Sequence, residues 1–133
     1  MRLLIDCDVL LDVALGRTPH SRDSGSVLTW AEKNPGQSAV AWHSLANLHY
    51  LTDGKARHFI FDLLHFVEIA PVSTSLMQQA LSLPMNDLED AMQSVCASAF
   101  GAQLIVTRNI KDYQKSPVPA LKPVDFCRQF IRP

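Results

Sequence analysis

The chain has 133 residues, 47% of them hydrophobic and 19% charged, with 12 basic against 13 acidic side chains and a net charge of −1. That is enough apolar material for one folded domain with a buried core, and it excludes a disordered chain. The near-neutral balance also excludes a strongly basic nucleic-acid-binding tail, so any RNA contact has to come from a local cluster such as Arg108, Lys111 and Lys115.

In chain order, "RLLID" (residues 2–6) is apolar without a helical period and reads as a buried strand. Residues 19–33 read as a helix that opens at Pro19 and stops before the breaker Asn34-Pro35-Gly36. "QSAVAW" is a second strand, followed by a helix through "HSLANLHYLT" that ends at Asp53-Gly54. "KARHFIFDLLHF" is a further helix with Phe59, Leu63 and Phe66 on one face, and "VEIAP" is a third strand. "STSLMQQALSL" forms a helix capped by Ser73, and another helix runs from Asp87 to Phe100. "AQLIVT" is the clearest strand of the chain, and "ALKPV" is expected as a last edge strand, because Pro123 is tolerated only at an edge. Neither repeats nor linkers interrupt residues 1–133. Strands alternating with helices therefore predict a single three-layer α/β/α domain around a central parallel sheet of four to five strands.

Cys7, Cys96 and Cys127 are odd in number and widely spaced. That pattern suits buried free thiols in a reducing cytosol rather than disulfides or a zinc knuckle. Asp6 comes too early for a signal-peptide core, and no apolar run approaches membrane-spanning length, so a cytoplasmic protein is expected.

In parallel sheets, sites form beyond the carboxyl ends of the strands. Asp6 ends the first strand and Thr107-Arg108-Asn109 end "AQLIV", so polar groups gather on one rim. In the helix at 87–100, Leu88, Ala91, Met92, Val95, Cys96 and Ala99 make a core-facing stripe. Asp87 and Asp90 lie off that stripe, about 60° apart around the axis. Asn86 with Glu89 resembles a capping box, and acids in a first turn favour the helix dipole, so these residues have a purely structural explanation as well. Their combination with Asp6 is more telling. Carboxylates crowded into one cleft repel each other unless a hard cation such as Mg²⁺ or Mn²⁺ joins them.

Taken together, "LIDCDVLLD" and "NDLEDAMQSVCASAFGAQLIVTRNIKDY" resemble the PIN domain family, the small metal-dependent ribonuclease fold of VapC-type toxins. Asp6 falls on the first acidic position, with Asp8 where Asn is usual, and Asp90 falls on the third. "LIVTRNIKDY" is similar to the block that carries the fourth. The sequence departs from the family at two positions. Asn47 stands where the second acid, a Glu, is usual, and Asn109 stands for the fourth acid, with Asp112 three residues on.

The resemblance implies a Mg²⁺- or Mn²⁺-dependent endoribonuclease, with RNA as substrate, a small antitoxin as partner, a homodimer and no membrane. Asp6, Asp87, Asp90 and Asp112 would form the metal-binding carboxylate shell. Asp6, Asp90, Asp112 and Asn109 would serve catalysis, while Thr107, Arg108 and Asn47 contact substrate. His43 and His49 are expected to pack or face solvent, and Trp42, Phe59, Phe61 and Phe66 to serve core or dimer surface.

Two other readings fit parts of the chain. "IDCDVL" matches the opening of haloacid-dehalogenase-type phosphatases, with Asp6 as nucleophile and Asp8 as general acid/base, yet "VTRN" lacks their closing acid pair. The two asparagines also suit a PIN-like binding module with a weakened catalytic site.

Overall fold

A computed structural model describes residues 1–132 of the chain. The elements run β1 (Leu3–Ile5), α1 (Cys7–Ala14), α2 (Ser21–Lys33), β2 (Ser38–Val40), α3 (Trp42–Leu51), α4 (Arg57–Leu63), β3 (Val67–Ile69) and α5 (Thr74–Ser82). Then follow α6 (Leu88–Phe100), β4 (Leu104–Val106), a 3₁₀ turn (Ile110–Tyr113), β5 (Ala120–Leu121) and α7 (Pro123–Phe126), which widens into a π turn over Cys127–Ile131. The strands form one sheet in the order β3-β2-β1-β4-β5, and every pairing is parallel. The expected α/β architecture is thus present, with five strands.

β1 sits at the centre, and all three of its residues are buried. Alternation along it divides the core. Leu3 and Ile5 join α1, α2, α3, α4 and α7 through Val9, Leu10, Val27, Leu48, Leu63 and Phe126. Leu4 joins the opposite face, where Cys96, Ala97 and Phe100 of α6 pack with Ile105. A sheet covered on both faces explains why its strands read as continuous apolar runs rather than alternating ones. After β1 the chain builds outward through β2 and β3, then returns to the other side of β1 with β4. The order therefore reverses between β1 and β4, which opens a crevice at their carboxyl ends.

Several expected boundaries shift, each for a local reason. β1 stops at Ile5 because Asp6 turns the chain as the N-cap of α1, its side chain accepting from the Cys7 N–H. α1 itself is absent from the elements read in chain order. α2 starts at Ser21, two residues after Pro19. Pro123 does not lie on an edge strand. It opens α7 at the first turn, where its missing N–H costs nothing, and β5 keeps only Ala120–Leu121.

The cap of α6 is Asp87 rather than Asn86. Its buried face is also rotated from the expected stripe: Leu88 and Ala99 are exposed, while Gln93, Ser94, Ala97 and Phe100 are buried. Cys7, Cys96 and Cys127 are free thiols, the last two buried. Among the described residues no helix is long and apolar enough to cross a membrane.

Candidate active site

The crevice between β1 and β4 is built around Asp6, which is 8% exposed. Its position as helix N-cap aims the carboxylate away from β1 and across the strand ends. Both oxygens are occupied. Oδ1 accepts from the Cys7 N–H at 2.7 Å and from Gln93 Nε2 at 2.6 Å. Oδ2 accepts from the Thr107 hydroxyl at 2.8 Å and lies 3.4 Å from the Tyr113 hydroxyl. Tyr113 OH also lies 3.1 Å from Asp90 Oδ1, so a single phenol bridges the carboxylates of β1 and α6.

These carboxylates hold protons more tightly than usual. Burial, then the charge of Asp8, pushes Asp6 up to about 6 against hydrogen bonds that pull it down. Burial, then Asp87, pushes Asp90 up to about 6, with Asp6 and Asp112 adding to the effect. Burial likewise raises Asp8. The Tyr113 phenol is driven up by burial and by Asp6 and Asp90, which keeps its proton in the bridge.

Asp8 stands two residues after Asp6, in the first turn of α1. Its Oδ2 accepts from the Arg108 N–H at 3.0 Å and lies 3.3 Å from the Thr107 hydroxyl, while its Oδ1 is buried without a hydrogen-bond partner among the described residues. Thr107, fully buried, closes the set by accepting from the Asn109 N–H at 3.1 Å.

The expected site residues therefore fall into three groups. Asp6, Asp90 and Thr107 converge directly through Tyr113 and the Thr107 hydroxyl. Asp87 and Asp112 are exposed and stand at the rim, where they line an open pocket of about 280 Å³ with Lys111 and Lys115, and Asp87 also caps Asp90 N at 3.1 Å. Asn47, Asn109 and Arg108 do other work. Asn47 Nδ2 donates to the carboxylate of Glu89 at 3.3 Å, so α6 places an acid against the neutral position of α3. Asn109 is exposed at the head of the 3₁₀ turn and makes no side-chain cap bond. The Arg108 guanidinium grips fully buried Asp12 at 2.8 and 3.1 Å, alongside Arg17.

Gln93, Tyr113, Asp8 and Glu89 were missing from the expected site. Gln93 had a detectable sign, being polar three residues after Asp90 and so on its face of the helix. Among the described residues no three His, Cys, Asp or Glu side chains are already gathered at ligand spacing. The donor set nevertheless suits a hard cation. It is all oxygen, it contains the unpartnered buried Oδ1 of Asp8, and its carboxylates raise one another's proton affinity.

The PIN domain family profile matches residues 2–111, which include β1, α6, β4 and all but the last residues of the site. The chain belongs to the PIN domain family. No curated protein matches it. Among solved structures, this PIN domain is similar to a toxin–antitoxin complex from Klebsiella pneumoniae, with TM-score 0.67 and 21% identity over 91% of this chain and 97% of that one. It is also similar to VapBC2 from Rickettsia felis bound to a DNA fragment from its promoter, with TM-score 0.66 and 19% identity over 92% and 98% of the two chains. A third likeness is to FitAcB from Neisseria gonorrhoeae, with TM-score 0.66 and 13% identity over 92% and 98%. At these identities the likeness is one of fold.

Membership of this family removes the phosphatase alternative.

Proposed function

We infer that this PIN domain is a Mg²⁺- or Mn²⁺-dependent endoribonuclease, the toxin of a toxin–antitoxin pair, acting in the cytoplasm. The observation that carries the reading is the pairing of Asp6 and Asp90 through Tyr113 at the β1–β4 crevice. Asp6, Asp8 and Asp90 would hold the cation, with Asp87 and Asp112 at the rim. When bound, it would supply Lewis acidity toward water and offset charge on the phosphodiester. The chain's own residues do the rest. Thr107 and Gln93 fix the Asp6 carboxylate, the Asp87 cap fixes the first turn of α6, and Tyr113 keeps a proton between Asp6 and Asp90. Toxin–antitoxin complexes of the same fold support a small antitoxin as partner. Exposed Trp42, Val72 and Met77, which line one apolar groove between α3, α5 and α6, support a homodimer.

A second reading has its own support. Asn47 and Asn109 contribute no charge, so the domain would serve as a binding module if the remaining carboxylates hold no metal. Calorimetry with Mn²⁺ on the wild type and Asn109→Asp, alongside RNA cleavage, separates the two. The nuclease binds Mn²⁺ weakly, and Asn109→Asp binds it more tightly, because hard cations gain affinity as carboxylates accumulate. Absence of Mn²⁺ binding by both proteins, even at millimolar metal, overturns the nuclease in favour of the binding module.

A further inference from the structure

Next to the carboxylate crevice lies a second cavity, of about 400 Å³, with the opposite electrical character. Its wall includes His20, Ser24, Arg108 and Lys122. Behind it the fully buried Asp12 is shared by two guanidiniums, Arg17 at 2.9 Å and Arg108 at 2.8 Å. Two guanidiniums against this one carboxylate leave positive charge behind the cavity, partly offset by Asp8, on which the Arg108 charge also acts. Arg108 Nη1 enters no hydrogen bond among the described residues, since its Nε and Nη2 take both contacts with Asp12. Lys122 is exposed and forms no ion pair among the described residues. The single acid on the wall, Asp23, lies 3.4 Å from Arg132.

Arg108 joins the two cavities. Its guanidinium faces the basic one, while its backbone N–H holds Asp8 at 3.0 Å in the acidic one. A ligand long enough to reach both must carry negative charge on one side and tolerate a cation among carboxylates on the other. A phosphodiester strand does both. A carboxylate-rich peptide would meet the acids of the neighbouring crevice without relief.

We propose that the cavity formed by the start of α2 and the β5–α7 junction is a phosphate subsite, in which Arg108 and Lys122 hold the backbone of an RNA strand whose scissile bond lies at the Asp6–Asp90 crevice. The proposal rests on the ribonuclease reading. Contacts of this kind position a strand without reading its sequence. Arg108 offers a planar fork suited to phosphate oxygens, and Lys122 a point charge.

The test is fluorescence anisotropy of labelled single-stranded RNA oligonucleotides on the intact chain, with Ca²⁺ in place of Mg²⁺ or Mn²⁺ to prevent cleavage while the carboxylates stay neutralised, over a salt series. Lys122→Glu is the variant, because Lys122 is exposed and bears no structural bond, and its melting temperature confirms folding. The expected result is weaker binding to every RNA sequence tried, with the salt slope reduced by roughly 0.7 to 1. Unchanged affinity and slope overturn the subsite even if the wild type cleaves RNA, and so does absence of RNA binding by the wild type. Displacement of RNA by polyglutamate more effectively than by polyphosphate also overturns it, in favour of an acidic protein partner. If binding depends on Lys122 but no metal supports cleavage, the subsite stands and the ribonuclease reading falls.

Discussion

Asp6 is the residue on which the site turns, and its contacts decide what a substitution does. Asn at this position keeps an oxygen for the Cys7 and Gln93 donors, while the Thr107 and Tyr113 hydroxyls can rotate to accept from the new amide. Asp6→Asn is therefore expected to keep the fold and abolish cleavage. Full activity in the purified variant would overturn its assignment, and unfolding would show that capping α1 is its main role. Tyr113→Phe removes the bridge alone. Its hydroxyl lowers the proton affinity of both Asp6 and Asp90, so its loss should move the acid limb of the pH–rate profile upward and cost about 1 kcal/mol of stability. An unmoved profile with the same stability loss would make Tyr113 structural only. Asp6 and Asp90 were legible because acids at a strand end and in a helix first turn are unusual together. Tyr113 and Glu89 were not legible, and Gln93 showed only as a polar residue on the helix face of Asp90. Their roles depend on how far α6 rotates against the sheet, which no single-sequence period specifies.

At the scale of elements, α6 does two jobs: its middle packs on the sheet while its first turn places Asp90 at the crevice. Asp87 is where the two meet, because it caps Asp90 N and also stands at the rim. Asn and Asp cap helices equally well. Asp87→Asn should thus retain thermal stability, whereas Asp87→Ala should lose about 1 kcal/mol. Calorimetric Mn²⁺ affinity then separates the roles: a drop in Asp87→Asn identifies a metal contributor, and an unchanged value leaves Asp87 a cap. The other end of α6 is closed by Gly101 at φ 81°, in the left-handed region, with Ala102 N–H bonded to Ala97. The order of elements was readable because period and breakers alternate clearly. α1 and α7 escaped for related reasons. α1 begins on the residue that ends β1, and α7 begins on a proline that reads equally as an edge. Each junction is too short for periodicity to separate its two elements.

For the whole molecule, the crowded carboxylates set the sign of the pH dependence. Burial and neighbouring carboxylates push Asp6 and Asp90 up to about 6 in the folded chain, above the ordinary 3.8 of a solvated aspartate that applies when the chain is unfolded. Between these values the folded state binds more protons, so metal-free stability falls as pH rises from about 4 to about 6 and stays low above it. Metal competes with those protons, and its stabilisation should grow across the same window. Melting temperatures at about pH 5 and about pH 8, in chelator and in Mn²⁺, test this. Higher stability at the upper pH without metal would overturn it. The sheet order carries a different consequence, one of timing. Asp6 is among the first residues made, yet it meets Gln93 87 positions later, Thr107 101 positions later and Tyr113 107 positions later. β1 also waits for β4 to complete its flank. During synthesis the first acid therefore leaves the ribosome long before anything can hold it in place. A growing chain that has not yet produced Tyr113 has no crevice to close, so the activity proposed for this chain is expected only after Tyr113 has been made.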